Sequence, residues 1–99
     1  MGTQIQEGVG LLQKRKEIDL LDAELLRLLN ERARIVLELA AIKKSSGLPA
    51  FDGQREQEVL DRIHRQNQGP LEPESVVTVF RAIIHEFRKI GEAAMRQLK

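Results

Sequence analysis

Apolar residues recur through the first half of the chain with the spacing of a helix face. Ile18, Leu21, Leu25, Leu28, Leu29, Ile35, Val36 and Leu39 keep that rhythm, and between Gly10 and Ser45 neither proline nor glycine interrupts it. The pattern predicts one helix from about Val9 to Ser45. At about 1.5 Å per residue it would run on the order of 50 Å, longer than a domain of this size is wide, so it cannot cover its apolar stripe alone. The SSGLP stretch at 45–49 ends it, because a glycine suits the position just past a helix and Pro49 blocks continuation.

A second helix is expected to start at Asp52 as N-cap, with Glu56 in its opening turns, and to turn Val59, Leu60 and Ile63 inward as far as Asn67. NQGP at 67–70 marks the next break. A third helix is predicted to begin within LEPES, where Pro73 is tolerated in a first turn. It should bury Val76, Val77, Val79, Phe80, Ile83, Ile84 and Phe87 before ending near Leu98. No strand, internal repeat or low-complexity segment is visible. The expected fold is all-α, three helices that are long, short and long, in a domain at 9–99 preceded by a flexible tail at 1–8.

Composition narrows the chemistry. A chain of 99 residues makes one domain with a limited core unless it pairs with another chain. Cysteine is absent, which removes disulfides and thiolate metal sites, and His64 and His85 are too far apart to form a helical ligand pair, so no metal or cofactor is expected. They read as ordinary helix-face residues. Neither a signal sequence nor a stretch approaching a membrane span is visible, and a soluble cytoplasmic protein is the expectation. Lys and Arg number 16 against 15 Asp and Glu, a net charge of +1, and three Phe stand without Tyr or Trp. Such a chain offers nucleic acid neither a dominant positive field nor a stacking platform.

The cations matter by position. At about 100° per residue, Arg32 and Lys43 fall within about 20° of each other and lie among Leu21, Leu25 and Leu39 on the apolar stripe. A cation that is buried there requires an anion beside it. Arg15 points about 100° away from Arg32 and lies roughly 25 Å along the helix, too far to share a pocket within one chain but able to reach a partner's in an antiparallel dimer. Asp52, Arg55 and Glu56 span about 100° of the second helix, just after the turn that follows Lys43. Each also has a plainer reading. Arg32 could snorkel or pair with Glu24, Glu31 or Glu38; Lys43 suits a helix C-terminus; Asp52 and Glu56 suit an N-terminus. Taken together they make a cluster of cations with one acidic edge, suited to a small dianion bearing a hydroxyl.

The sequence resembles the AroQ class of chorismate mutases, the small helical family also found fused to other shikimate-pathway enzymes. The likeness runs from about Leu12 to Met95. It rests on Arg15, Ile18 and Asp22 in RKEIDLLDAELLRLLNERARI, on Lys43 in AAIKKSSGLP, on FDGQREQEVL, and on VFRAII in the last helix. The resemblance implies an intertwined helical homodimer that rearranges chorismate to prephenate without cofactor or covalent intermediate. It also implies that the domain can serve within a larger shikimate-pathway enzyme. Arg15 would cross to the partner's site, and Arg32 would bind a substrate carboxylate within its own protomer. Lys43 would bind a carboxylate and the ether oxygen of the breaking bond. Asp52, Arg55 and Glu56 match the segment bordering the ring hydroxyl, with the two carboxylates as its acceptors. One departure stands out: where the family carries a late Gln or Glu as second donor to the ether oxygen this chain has Gly91, with Glu92 one residue off, and Phe87 replaces a small polar residue one turn earlier.

Other readings share the architecture. An isochorismate-pyruvate lyase would split pyruvate from a related dianion, although the DxxRE pattern at 52–56 speaks for the mutase. A chorismate- or prephenate-sensing regulatory domain would bind without turnover. A non-catalytic helical dimerisation protein would leave Arg32 and Lys43 on the surface.

Overall fold

The structure, a computed structural model, describes residues 2–97, with side chains from Gly8 to Gln97. It holds three helices and, among the described residues, no strand: α1 at Gly2–Ser45, α2 at Gly53–Gln66 and α3 at Pro73–Gln97. All three predicted elements are present. The first begins at Gly2, further toward the N-terminus than the expected Val9, and Leu98, the expected end of the last, lies outside the described residues. No helix among the described residues is long and apolar enough to cross a membrane.

The chain divides into two compact units, Met1–Arg32 and Ala33–Lys99. In the first, the described side chains of α1 lie along a helix whose leucines face water. Leu21 is 64% exposed and Leu25 56%, and Ile18 and Leu28 are also exposed. An amphipathic helix is normally stabilised by packing its apolar face. This unit presents that face uncovered.

The second unit carries the core. Here α2 packs on α3, with Val59, Leu60 and Ile84 buried together and Ile63, Val77 and Phe80 packed against them. Val76 and Phe87 are buried as expected and Ile83 is half-buried, but Val79 is 52% exposed, contrary to its expected inward position. Its place in the helical repeat explains this. Val79 lies about 140° around α3 from Ile84 and about 60° from Val76, beyond the edge of the face that meets α2. The last part of α1 joins the same unit: Ala40 is buried, and Lys44 Nζ donates to the carbonyl of Met95 at 2.6 Å. That bond satisfies one of the carbonyls left without a partner at the end of α3.

The end of α1 is closed by backbone geometry. Leu48 N–H donates to Lys43 C=O at 2.8 Å and Gly47 N–H to Lys44 C=O at 3.3 Å, while Gly47 takes φ +70°. This pairing requires a left-handed residue at the turn, a conformation that glycine adopts without a Cβ penalty. Asn67 closes α2, its Nδ2 donating to Leu71 C=O and its Oδ1 accepting from Gly69 N–H.

Two glycines should respond to alanine with opposite signs. Gly47→Ala is expected to cost about 1 kcal/mol, because a Cβ is disfavoured at positive φ. A Cβ on Gly91 would meet Val36 Cγ1 at 3.6 Å, an ordinary contact. Gly91→Ala should therefore gain about 0.5–1 kcal/mol of helix stability. The midpoints of urea unfolding for the two variants, set against the parent chain, check both values.

Candidate active site

Four of the six candidate residues lie in the second unit, at and after the junction of α1 with α2. Lys43 occupies the last turn of α1, half-buried, and its Nζ donates to Ala50 C=O at 3.0 Å. The bond aims the ammonium at the backbone just ahead of Asp52 and uses one of its three donors. Asp52 is the N-cap of α2: its Oδ1 accepts from Arg55 N–H at 3.0 Å and its backbone is extended. The plain reading of Asp52 therefore holds. One oxygen satisfies a helix terminus, and the exposed carboxylate keeps further acceptor positions.

Glu56 sits in the first turn of α2 and is engaged from the far side of the core. Arg88 of α3 grips it with two bonds: Nε donates to Oε2 at 2.9 Å, and Nη2 donates to Oε1 in a shorter contact. The guanidinium also lies over the Phe51 ring, 4.4 Å from its centroid. A fork of this kind fixes the carboxylate in orientation as well as position, and a flat cation on an aromatic face adds to the hold. The hydrogen bonds that Arg88 donates to Glu56 raise its pKa above the ordinary value, with burial opposing. Gly53 belongs to the same assembly, since a Cβ there would come within 3.1 Å of Phe51 Cζ. A side chain at 53 would force the ring to give way.

The other candidates are placed less closely. Arg55 is exposed, with a loose contact of 3.9 Å to Glu58. In the first unit Arg15 is exposed and Arg32 half-buried, and Leu21 and Leu25, which share the stripe of Arg32, are exposed. Glu24, one expected partner for Arg32, is instead bound by Arg27 at 2.5 Å, which lowers the carboxyl pKa of Glu24 through that hydrogen bond. Both histidines are exposed on their helices. Among the described residues, no group of three or more His, Asp and Glu is placed to hold a metal ion.

Arg88 is the residue that reading the sequence missed. Its signal was available, because it follows buried Ile84 by four residues and so lies about 40° from it on the inward side of α3. Glu56 stands in the same relation to buried Leu60. The test that singled out Arg32 and Lys43 on the first helix marks this pair equally well on the other two.

The sequence matches the family described as chorismate mutase type II over residues 14–92. The chain belongs to that family. It is 41% identical to a bifunctional chorismate mutase/prephenate dehydratase of Aquifex aeolicus over 78 residues, covering 75% of this chain and 22% of that one. The chain therefore spans about a fifth of the length of that bifunctional relative. It is 38% identical over 55 residues to a chorismate mutase of Methanocaldococcus jannaschii, 56% of each chain. Among solved structures, Helicobacter pylori chorismate mutase in complex with prephenate superposes with a TM-score of 0.81 at 36% identity, covering 90% of this chain and 97% of that one. A Thermus thermophilus chorismate mutase gives 0.81 at 35%, covering 83% and 93%. The three-helix architecture is thus that of the type II chorismate mutase family. Gly91, the position where the resemblance expects a polar donor, lies on an unbroken α3 facing Val36.

The capping role of Asp52 can be separated from its charge. Asn caps as well as Asp, so Asp52→Asn should leave the melting temperature close to that of the parent, while Asp52→Ala should lose about 1 kcal/mol. Thermal unfolding followed by circular dichroism distinguishes the two.

Proposed function

We propose that this chain is a chorismate mutase that converts chorismate to prephenate by a pericyclic rearrangement. The observation that carries the proposal is the family match over residues 14–92, joined to the likeness with a structure that holds prephenate. None of the relatives named above is an isochorismate-pyruvate lyase by name, and the DxxRE run at Asp52, Arg55 and Glu56 suits the mutase. Chorismate carries two carboxylates and a ring hydroxyl, which the cations and the acidic edge of this chain complement.

No proton or group has to pass through the enzyme in this reaction, so the chain needs neither nucleophile nor general base. Its task is to hold and to polarise. Arg32 and, from a partner, Arg15 hold the carboxylates so that the enolpyruvyl arm lies over the ring, which removes rotational freedom before the reaction. Lys43 stands at the ether oxygen and stabilises the charge that grows as the C–O bond lengthens. Asp52 and Glu56 accept from the ring hydroxyl, and Arg55 borders it. With Gly91 in place of a second donor, Lys43 carries a larger share of this stabilisation.

The working form we propose is an intertwined homodimer built by the domain at 9–99, with 1–8 as an N-terminal tail. The exposed leucines of α1 support this, since a stripe of that length gains stability only when covered. A cytoplasmic location suits a cysteine-free chain acting on a small polar metabolite. Fusion in the Aquifex aeolicus relative also makes a larger shikimate-pathway enzyme a natural setting for the domain.

Lys43→Ala should lower kcat by more than it raises KM, because the lost interaction strengthens during the reaction. Chorismate loss followed at its ultraviolet absorbance measures both, and equal rates for variant and parent would remove the mechanism. The shared site has a separate test. Arg15→Ala and Lys43→Ala should each be nearly inactive, yet mixing them under exchange makes half of the dimers hybrid, each with one intact site, so about a quarter of parental activity should return. No recovery in a mixture proven to exchange would place Arg15 in its own protomer's site or in none.

A further inference from the structure

Glu56 poses an electrostatic difficulty for the function proposed above. A site for a dianion gains nothing from a bare carboxylate at its edge, because like charges repel strongly where water is partly excluded. We infer that Arg88 resolves this as a positioning residue, cancelling the charge of Glu56 while holding its carboxylate as the acceptor for the substrate's hydroxyl. The inference rests on the proposed role of Glu56 and adds to it a residue that the six candidates did not include.

The geometry supports both halves of that role. Arg88 uses Nε and Nη2 on the two oxygens of Glu56, so neither oxygen is left with net charge unmatched. A carboxylate has about four acceptor positions, and a bidentate fork occupies only two. Acceptor capacity therefore survives the pairing. The side chains are 33% and 22% exposed, wet enough for a ligand to reach and dry enough for charge to be felt. Phe51 backs the guanidinium and Gly53 leaves room for the ring, so Arg88 is fixed by contacts of its own.

A purely structural clamp between α2 and α3 would look similar at rest, so the test must separate charge from stability. The parent, Arg88→Met, Arg88→Lys and the double variant Arg88→Met/Glu56→Gln are assayed as full chains on chorismate at rising potassium chloride, with thermal unfolding in parallel. Arg88→Met should raise KM about tenfold at low salt with a smaller change in kcat. The gap should close as salt screens the uncovered Glu56, given a Debye length of about 8 Å at physiological ionic strength. Arg88→Lys should recover part of the KM, since it restores charge without the fork. The double variant should bind better than Arg88→Met, because no unpaired charge remains. An Arg88→Met variant with parental KM and only a lower melting temperature overturns the inference, as does a double variant no better than the single one.

Calorimetric titration with prephenate keeps the two readings apart. A parent chain that binds prephenate but leaves chorismate intact defeats the mutase assignment alone, and the affinities of the four chains then decide the role of Arg88 by the same ordering. Equal affinities reject it. A parent that neither binds prephenate nor consumes chorismate overturns both.

Discussion

Water against leucine is the constraint from which the other features follow. Among the described residues, the three helices bury a small set of apolar side chains, Ala40, Val59, Leu60, Val76, Ile84 and Phe87, and leave the α1 leucines exposed. The second unit is organised to make the most of that small core. Its helices begin and end on specific devices, Asp52 and Asn67 around α2 and the left-handed Gly47 after α1. Such caps matter more where burial is scarce, since each is worth a sizeable share of a marginal stability. The uncovered face of α1 is the remaining debt of the single chain, and it motivates the proposed dimer.

Charge is handled differently on each helix. Near the end of α1, Lys43 is half-buried and tied to a backbone carbonyl. Between α2 and α3 the half-buried pair is a matched one, Glu56 with Arg88, stacked on Phe51. These arrangements follow from one rule, that charge leaving water needs a hydrogen-bonding partner. They differ in what is left for a ligand. An ammonium bound to one carbonyl still offers two donors and a full positive charge, whereas a paired carboxylate offers acceptors with little net field.

The architecture was largely legible in the sequence because its signals are local. Helical spacing, SSGLP, the Asp52 cap and NQGP each act within a few residues, and all three helices appear with the breaks those signals place, α1 alone starting earlier than its expected Val9. The misplacement of Val79 shows the limit: an apolar residue at the edge of a helix face is assigned inward by composition and outward by the width of the neighbouring helix, which the sequence does not display. The site was legible only in part. Lys43 stands out against leucines and Asp52 and Glu56 stand out by their spacing, whereas Arg88 shows its inward direction in the helix repeat but not its partner. Its significance depends on α3 meeting α2 opposite Glu56, a pairing separated by 32 positions along the chain. For Arg32 and Arg15 the helix repeat gives direction, while their surroundings depend on what covers α1.

The bond from Lys43 to Ala50 has a consequence for how a guest is received. A free lysine samples many rotamers, and gathering it into one pose upon arrival of a ligand costs up to about 2 kcal/mol. Here the ammonium is already moored to the polypeptide ahead of α2, at the mouth of the segment that carries Asp52 and Glu56. For the substrate proposed above, the flexible tether would thus be stiffened in advance, with its charge already waiting in place.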